Sequence, residues 1–183
     1  MPKVTAAYLE ARRQEILEAA LTLFAEKGFA HTSMADIAAA SGISIGAVYR
    51  YFPSKGDLVL AVCSEGEGER IPGDTATEAA EQLRRHVDPQ HNGRTHARLV
   101  AQIWGNAAID PLLASVVARQ HTRIRDQLAD LITQKQSGDS EHRTPSDEAE
   151  VVLAALIGYA ALVAVDGHVD HDGFGRALSR LLD

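Results

Sequence analysis

The spacing of apolar and polar residues predicts a chain built from helices. From Tyr8 to Lys27 apolar residues recur every three or four positions, which is the period of one buried helix face, and Gly28 follows as a C-terminal stop. No segment shows the strict alternation of apolar and polar residues that is typical of a half-buried strand. The pattern therefore predicts an all-α fold of about nine helices.

Short helices with clear start and stop signals follow between residues 33 and 62. Ser33 and Asp36 have the spacing of a capping box and open a helix that ends before Gly42. A second short helix is predicted over 44–52, where Pro53 stops it, and Ser54 opens a third. Two short helices joined by a glycine-containing turn form a helix-turn-helix, here over 33–52.

The rest of the chain continues as helices separated by polar breaks. Asp110 followed by Pro111 has the pattern of an N-cap and a first helical residue. The breaks fall at 88–93 and at 136–146. Helices are predicted over 75–87, 95–108 and 111–135, then in an apolar segment that ends near Val165, and finally in a segment that contains Phe174, Ala177, Leu178 and Leu181.

Composition and charge narrow the class of protein. The 183 residues carry 18 basic and 25 acidic side chains, a net charge of −7, which argues against binding nucleic acid through bulk positive charge. Cys63 is the single cysteine, so an intramolecular disulfide and a multi-cysteine zinc site are excluded. Neither a secretory signal nor an apolar run of about 20 residues is evident, and we expect a cytoplasmic protein.

The second short helix carries side chains that suit DNA. Hydroxyl groups are suited to phosphate oxygens, and a guanidinium can reach a guanine edge or a phosphate. Small apolar groups can meet thymine methyls, and a glycine lets the backbone approach a groove wall. These residues are Ser44, Tyr49 and Tyr51 for hydroxyls, Arg50 for the guanidinium, Ile45 and Ala47 for methyl contacts, and Gly46. The alternative is an ordinary helical hairpin in an all-α protein.

Lys55 is a second indication of anion binding. It lies in the first turn of a helix, where a cation opposes the helix dipole and a docked phosphate would reverse that cost. Thr32 and Ser33, at the start of an earlier helix, can hold a phosphate in the same way. The alternative is a tolerated surface lysine beside ordinary caps.

Residues 10–62 resemble the DNA-binding domain of the TetR family of bacterial transcription regulators. The resemblance includes the runs 32–38, 41–49 and 51–55. It implies that the helix from about Ser44 to Tyr51 enters the major groove. It also implies that Thr32, Ser33, Tyr49 and Lys55 hold phosphates, and that the base-reading or groove-facing positions are Ile45, Gly46, Ala47, Arg50 and Tyr51.

Residues 63–183 resemble the family in plan, as a helical regulatory domain whose last two helices form a dimer interface. We divide the chain into a DNA-binding domain over 1–56 and a regulatory, dimerising domain over 57–183. A uniformly apolar helix over 151–165 favours such an interface, although it could instead be buried inside one protomer. A two-fold dimer implies a palindromic operator. The predicted interface residues are Leu153, Leu156, Ile157, Ala160, Ala161, Ala164, Phe174, Leu178 and Leu181.

Weaker patterns leave two interpretations each. Trp104, His121 and Tyr159 can line a pocket for a small, partly apolar effector, or they belong to the core or an interface. The segment 166–172 holds five potential metal ligands, but a loop in which Asp170 or Asp172 caps the last helix explains it better, so no metal site and no cofactor are predicted.

Together with these patterns, the resemblance implies a homodimeric repressor that a small molecule releases from its operator. No catalytic motif is evident, and we do not expect an enzyme. The alternatives are a helical dimeric protein-interaction module and a similar DNA-binding protein without an effector. The charge divides accordingly: residues 1–56 carry 6 basic and 5 acidic side chains, against 12 and 20 in 57–183.

Overall fold

The computed structural model describes residues 5–64, 70–91, 93–135, 144–165 and 167–182. Over these ranges the chain forms nine α-helices and one 3-10 turn, without a strand, which confirms the all-α prediction. None of the described helices is long and apolar enough to cross a membrane. The helices are α1 (Ala6–Lys27), α2 (Met34–Ser41), α3 (Ile45–Tyr51), α4 (Lys55–Ser64), α5 (Ala76–Val87), α6 (Arg94–Ala107), α7 (Pro111–Lys135), α8 (Pro145–Ala164) and α9 (His171–Leu182), with the 3-10 turn at Pro89–His91.

Two compact units make up the chain, Met1–Glu65 and Gly66–Asp183. The first contains α1 to α4 around a small core, in which the rings of Phe24 and Phe29 meet edge to face with centroids 4.8 Å apart. Helix α4 belongs to this unit because it packs on α1 and buries Leu58 and Val62. The structural boundary therefore lies beyond residue 56, while the functional division of the chain stays a prediction.

The capping signals at both ends of α2 do what their spacing predicts. The Ser33 hydroxyl accepts from the Asp36 backbone N–H, and the Asp36 carboxylate accepts from the Ser33 N–H, so the capping box of α2 is complete. Gly42 ends α2 with φ +67°, in the left-handed region that glycine enters without strain. This residue therefore sets the tight turn between α2 and α3.

The second unit is a bundle of α5 to α9 held by apolar packing. Its larger cluster joins α5, α7, α8 and α9 around Leu128, Val152 and Leu156. A smaller cluster surrounds the ring of Tyr159, which is 1% exposed. The predicted cap at Asp110 is present, since its carboxylate accepts from the N–H of Leu112, and Asp170 caps α9 by accepting from the N–H of Gly173.

The predicted dimer interface on α8 and α9 needs a correction. Four of the predicted interface residues are buried inside the protomer, and Phe174 and Leu181 also pack against its core. A helix that is apolar on every face has no pattern that marks its inward side, so packing against its main neighbours, α6 and α7, decides which face is buried. The four buried residues are Leu153, Leu156, Ala160 and Leu178.

The opposite face of α8 is apolar and exposed. Val151 and Leu162 are 54% and 52% exposed, and Ala161 lies beside them at the surface. Ala154 and Gly158 continue this stripe at helical spacing, while Ile157 and Ala164 flank it half-buried. Burial inside the protomer therefore accounts for one face of the helix, and the dimer interface stays a prediction for the exposed face.

Candidate nucleic-acid interface

Helix α3 presents most of its side chains outward. Val48 is fully buried and, with Phe52 at the C-terminal cap, fixes the helix to the core. Around that anchor Ile45 and Tyr49 are 46% and 47% exposed, and Arg50 is exposed as well. Helix α3 is therefore held to the core mainly by Val48, and its exposed polar and apolar side chains remain accessible to a partner.

Ser44 differs from the other predicted caps. It occupies the N-cap position of α3 and is exposed, yet within the described residues its side chain makes no capping hydrogen bond. By contrast, the hydroxyl of Ser54 accepts from the N–H of Asp57 and donates to its carboxylate at 2.7 Å. The Ser44 hydroxyl thus remains available to an external acceptor such as a phosphate oxygen.

Gly46 is not required by the fold. It has ordinary helical backbone, and a Cβ added there would meet no heavy atom of the described chain within 4 Å. Its small size therefore has no internal explanation and fits close approach of an external surface. Of the other predicted groove-facing residues, Ala47 and Tyr51 are half-buried.

Thr32 and Ser33, which are predicted to hold a phosphate at the start of α2, both have hydrogen-bond partners within the chain. Thr32 is 1% exposed, and its hydroxyl donates to the carbonyl of Gly28 at 2.9 Å. The Ser33 hydroxyl is exposed but donates to Asp36 Oδ2 at 2.6 Å, and this bond lowers the pKa of the Asp36 carboxyl. The side chain of Thr32 therefore fixes the turn, and the hydroxyl of Ser33 belongs to the cap of α2.

Lys55 also has an internal partner. Its ammonium donates to the carbonyl of Phe29 at 2.7 Å, with a longer contact of 3.5 Å to the carbonyl of Ala30. The sequence predicted that a docked phosphate would offset the cost of a cation in the first turn of α4, with a tolerated surface lysine as the alternative. The structure instead provides backbone carbonyls that follow the end of α1.

The predicted pocket residues fall into two places in the second unit. The rings of Trp104 and His121 meet edge to face at 5.8 Å, and His121 Nε2 lies 2.9 Å from a carboxylate oxygen of Glu150. Tyr159 is instead buried, stacked on Phe174 at 4.4 Å between ring centroids. The structure therefore brings two of the three predicted residues together and places the third in the core.

A buried polar cluster around Tyr159 was not predicted from the sequence. The guanidinium of Arg84 binds Asp88 and Glu81, and the Tyr159 hydroxyl lies 2.8 Å from Nδ1 of His171. Hydrogen bonds from Arg84 lower the pKa of Glu81 to about 2, although it is partly exposed. The spacing of Glu81, Arg84 and Asp88 on one helix face is a usable signal, but the contacts with α8 and α9 are not.

An open groove of about 440 Å³ adjoins this cluster between α5 and α9, and Glu78, Asp172 and Ser179 line part of it. None of the predicted pocket residues is among its lining residues.

In the described part of the chain no three metal-ligating side chains come together, and Asp166 of the 166–172 segment lies outside that part. Burial raises the pKa of the Cys63 thiol to about 12, so it is not an activated nucleophile.

Comparison with known proteins identifies the first unit. Residues 16–62 match the family described as bacterial regulatory proteins, tetR family. The HTH-type transcriptional regulator YfiR of Bacillus subtilis is 44% identical over 70 residues, which is 38% of this chain and 34% of that protein. The HTH-type transcriptional repressor KstR2 of Rhodococcus jostii is 50% identical over 48 residues, covering 26% and 24% of the two chains. These alignments span about a third or less of the curated relatives.

Solved structures resemble the chain over nearly its whole length. GusR of Salmonella enterica superposes with a TM-score of 0.71 and 26% identity, covering 99% of each chain. The regulator FadR of Bacillus subtilis, in complex with stearoyl-CoA, gives a TM-score of 0.71 at 18% identity, covering 92% of this chain and 96% of its own, and shows likeness of fold alone. Together these findings show a tetR-family domain over residues 16–62, and a fold over nearly the whole chain that resembles these solved structures.

Proposed function

We propose that the chain is a ligand-responsive transcription regulator, acting as a repressor, that binds a palindromic operator as a homodimer. The outward face of α3 carries this proposal. Ser44, Tyr49 and Arg50 are exposed there, and Gly46 leaves room for a close surface. The base-reading set also includes Ile45, Ala47 and Tyr51, and the phosphate side includes Thr32, Ser33 and Lys55. The similarity to KstR2, described as a repressor, supports repression over activation.

Selection of binding sites from random DNA tests the proposal. A two-fold dimer places its two α3 helices in major grooves about 34 Å apart or a multiple of that distance, so the enriched sequences should be palindromes with matching half-site spacing. Folded dimer that enriches no sequence at low salt would contradict DNA binding.

For the dimer we propose that the exposed stripe of α8 meets its counterpart on a second copy. Val151 and Leu162 lie on this stripe, and Gly158 permits close approach of two helices. Leu162→Glu should shift the protein toward monomer in sedimentation velocity. The matched control is Leu112→Glu, which places the same charge at a position that is 68% exposed on α7 and should leave the dimer intact.

For the effector we propose a small, partly apolar molecule bound in the second unit near Trp104 and His121. The structural neighbour FadR, which holds stearoyl-CoA, supports a ligand-binding role for a chain of this fold. Trp104 is the single tryptophan, so its fluorescence reports on this site alone. A compound that releases the operator should shift that fluorescence in the wild type, and His121→Ala should weaken the response. Release without any change in fluorescence would place the site elsewhere.

The mechanism we propose depends on the fixed spacing of the operator half-sites. Both α3 helices of a dimer must fit one operator, and each contributes to the other's binding through a high effective concentration. An effector can bind more tightly to a conformation in which the two α3 helices have a different spacing. The operator affinity then falls by the same factor by which the effector prefers that conformation. Repression is then relieved without any change in the α3 side chains themselves.

A further inference from the structure

Helix α3 has two halves with different side-chain chemistry. The three residues before Val48 are Ile45, Gly46 and Ala47, and none of their side chains has a hydrogen-bond donor or acceptor. The hydrogen-bonding side chains of the helix all follow Val48. In a helix-turn-helix the earlier residues of the second helix contact base edges in the major groove. Side-chain contacts from this half of α3 to the bases must therefore be apolar.

Ile45 is the largest side chain of this half, and it lies at the surface. It is 46% exposed, whereas Val48 is fully buried. A single exposed isoleucine is ordinary on a protein surface, but this one lies four residues before Tyr49, on the same side of the helix as that exposed ring. A β-branched side chain in a helix has one strongly preferred rotamer, so the shape that Ile45 presents is fixed before a partner binds.

Gly46 leaves the surface beside this isoleucine open. A Cβ at Gly46 would meet no heavy atom of the described chain within 4 Å, and the glycine itself adds no side chain that would keep a partner away. On the base edges of the major groove the projecting apolar group is the C5 methyl of thymine. Apolar contact requires carbon atoms within about 4 Å of each other, and close approach at Gly46 allows Ile45 to reach that distance.

Resting on the DNA-binding function proposed above, we propose that Ile45 selects a thymine in each operator half-site by packing on its methyl group. The partner is defined by its chemistry, as a duplex that presents a thymine methyl in the major groove to Ile45 of each α3 helix. No hydrogen bond takes part in this selection. Removal of the methyl therefore abolishes it while the base pairs and the phosphates stay as they were.

Deoxyuridine tests this contact, because it differs from thymidine only in lacking the methyl group. Each thymine of the selected palindrome is replaced in turn, symmetrically in both half-sites, and affinity is measured by fluorescence anisotropy at one fixed salt concentration. From the transfer free energy of one such group, we expect a position at which uracil weakens binding about fourfold per half-site and about 15-fold for the whole operator.

Ile45→Ala removes the protein side of the same contact. At the sensitive position the ratio of thymine to uracil affinity should fall to about one, as expected when both partners of one contact are changed. Ile45→Val keeps a β-branched side chain and should retain part of the ratio, so it also provides the test if the alanine variant does not fold. Leu9→Ala is the matched control, because it removes a side chain that is 42% exposed on α1 and should leave the ratio unchanged.

Two results would overturn the inference. One is a selected palindrome in which uracil weakens binding at no position. The other is a wild-type ratio in Ile45→Ala, since a different residue would then contact the methyl. In both cases the operator is still bound, so the proposed function stands. A wild type that enriches no palindrome would instead remove the proposed function, and the selection of thymine with it.

Discussion

Helix α3 and the cluster around Arg84 are both rich in polar groups, but the two regions use them in opposite ways. On α3, Tyr49 and Arg50 are exposed, and the side chain of Ser44 makes no capping bond within the described chain. In the second unit Arg84 is buried, and its guanidinium binds Glu81 on the same helix and Asp88 at the C-terminal cap of that helix. Polar groups that are satisfied internally serve the fold, whereas those left exposed without a structural task are available to a partner.

The largest expected effect would follow from breaking the internal cluster. Asp88→Ala removes the buried carboxylate that pairs with Arg84 and leaves the buried guanidinium with Glu81, which is partly exposed, as its carboxylate partner. We expect the free energy of unfolding to fall by about 2–3 kcal/mol, measured by urea denaturation. Arg85→Ala is the control, because Arg85 binds Glu81 from the exposed face and should cost under about 1 kcal/mol. Equal losses in both variants would show that burial does not distinguish them.

Breaking the exposed face should change DNA binding instead of stability. Tyr49→Ala removes a half-exposed ring and its hydroxyl from α3. We expect operator affinity to fall about 10- to 100-fold while the free energy of unfolding changes by less than about 0.5 kcal/mol. Fluorescence anisotropy with labelled operator and urea denaturation provide the two measurements. A variant that loses stability without losing affinity would place Tyr49 with the structural residues.

Two glycines sharpen the comparison within the helix-turn-helix itself. Gly46→Ala should raise the free energy of unfolding by about 0.5–1 kcal/mol, since the site is helical and open, yet weaken DNA binding. Gly42→Ala should lower it by about 1 kcal/mol, because its φ of +67° strains any other residue. Thermal unfolding and operator titration of both variants measure this opposition. A Gly46→Ala protein with full affinity would remove the argument for close approach.

The sequence predicted the first unit well because its signals are local. Caps, stops and small residues within a few positions of one another determine α2 and α3, and the capping box at Ser33 forms as its spacing indicates. Which of the candidate groups are free was not predictable, since Lys55 meets Phe29 across 26 positions. The same limit applies to Tyr159, whose contact with Arg84 spans 75 positions, and to α8, whose uniform apolarity hides its inward face.

The smallest expected effect concerns acid, and it too separates the two regions. The pKa of Glu81 lies at about 2, below the ordinary value of 4.5, chiefly because Arg84 donates hydrogen bonds to its carboxylate. The charged form is therefore favoured in the folded state. This contribution is fully present above pH 4.5 and is lost as the pH falls through about 2. Because the Glu81 side chain is 32% exposed, solvent screening limits the contribution to about 0.5 kcal/mol or less.

Glu81→Gln should thus lower the free energy of unfolding at pH 7 and flatten its decline between pH 5 and pH 2, as urea denaturation across that range would show. Glu148→Gln is the control, because it removes another carboxylate of the second unit, on α8, and leaves the pKa of Glu81 unchanged. This variant should retain the wild-type decline. If the two variants have the same pH profile, the ion pair with Arg84 does not stabilise the fold. The contrast with α3 would then depend on the buried ion pair between Arg84 and Asp88 alone, because that pair would be the internal interaction left to satisfy the Arg84 guanidinium.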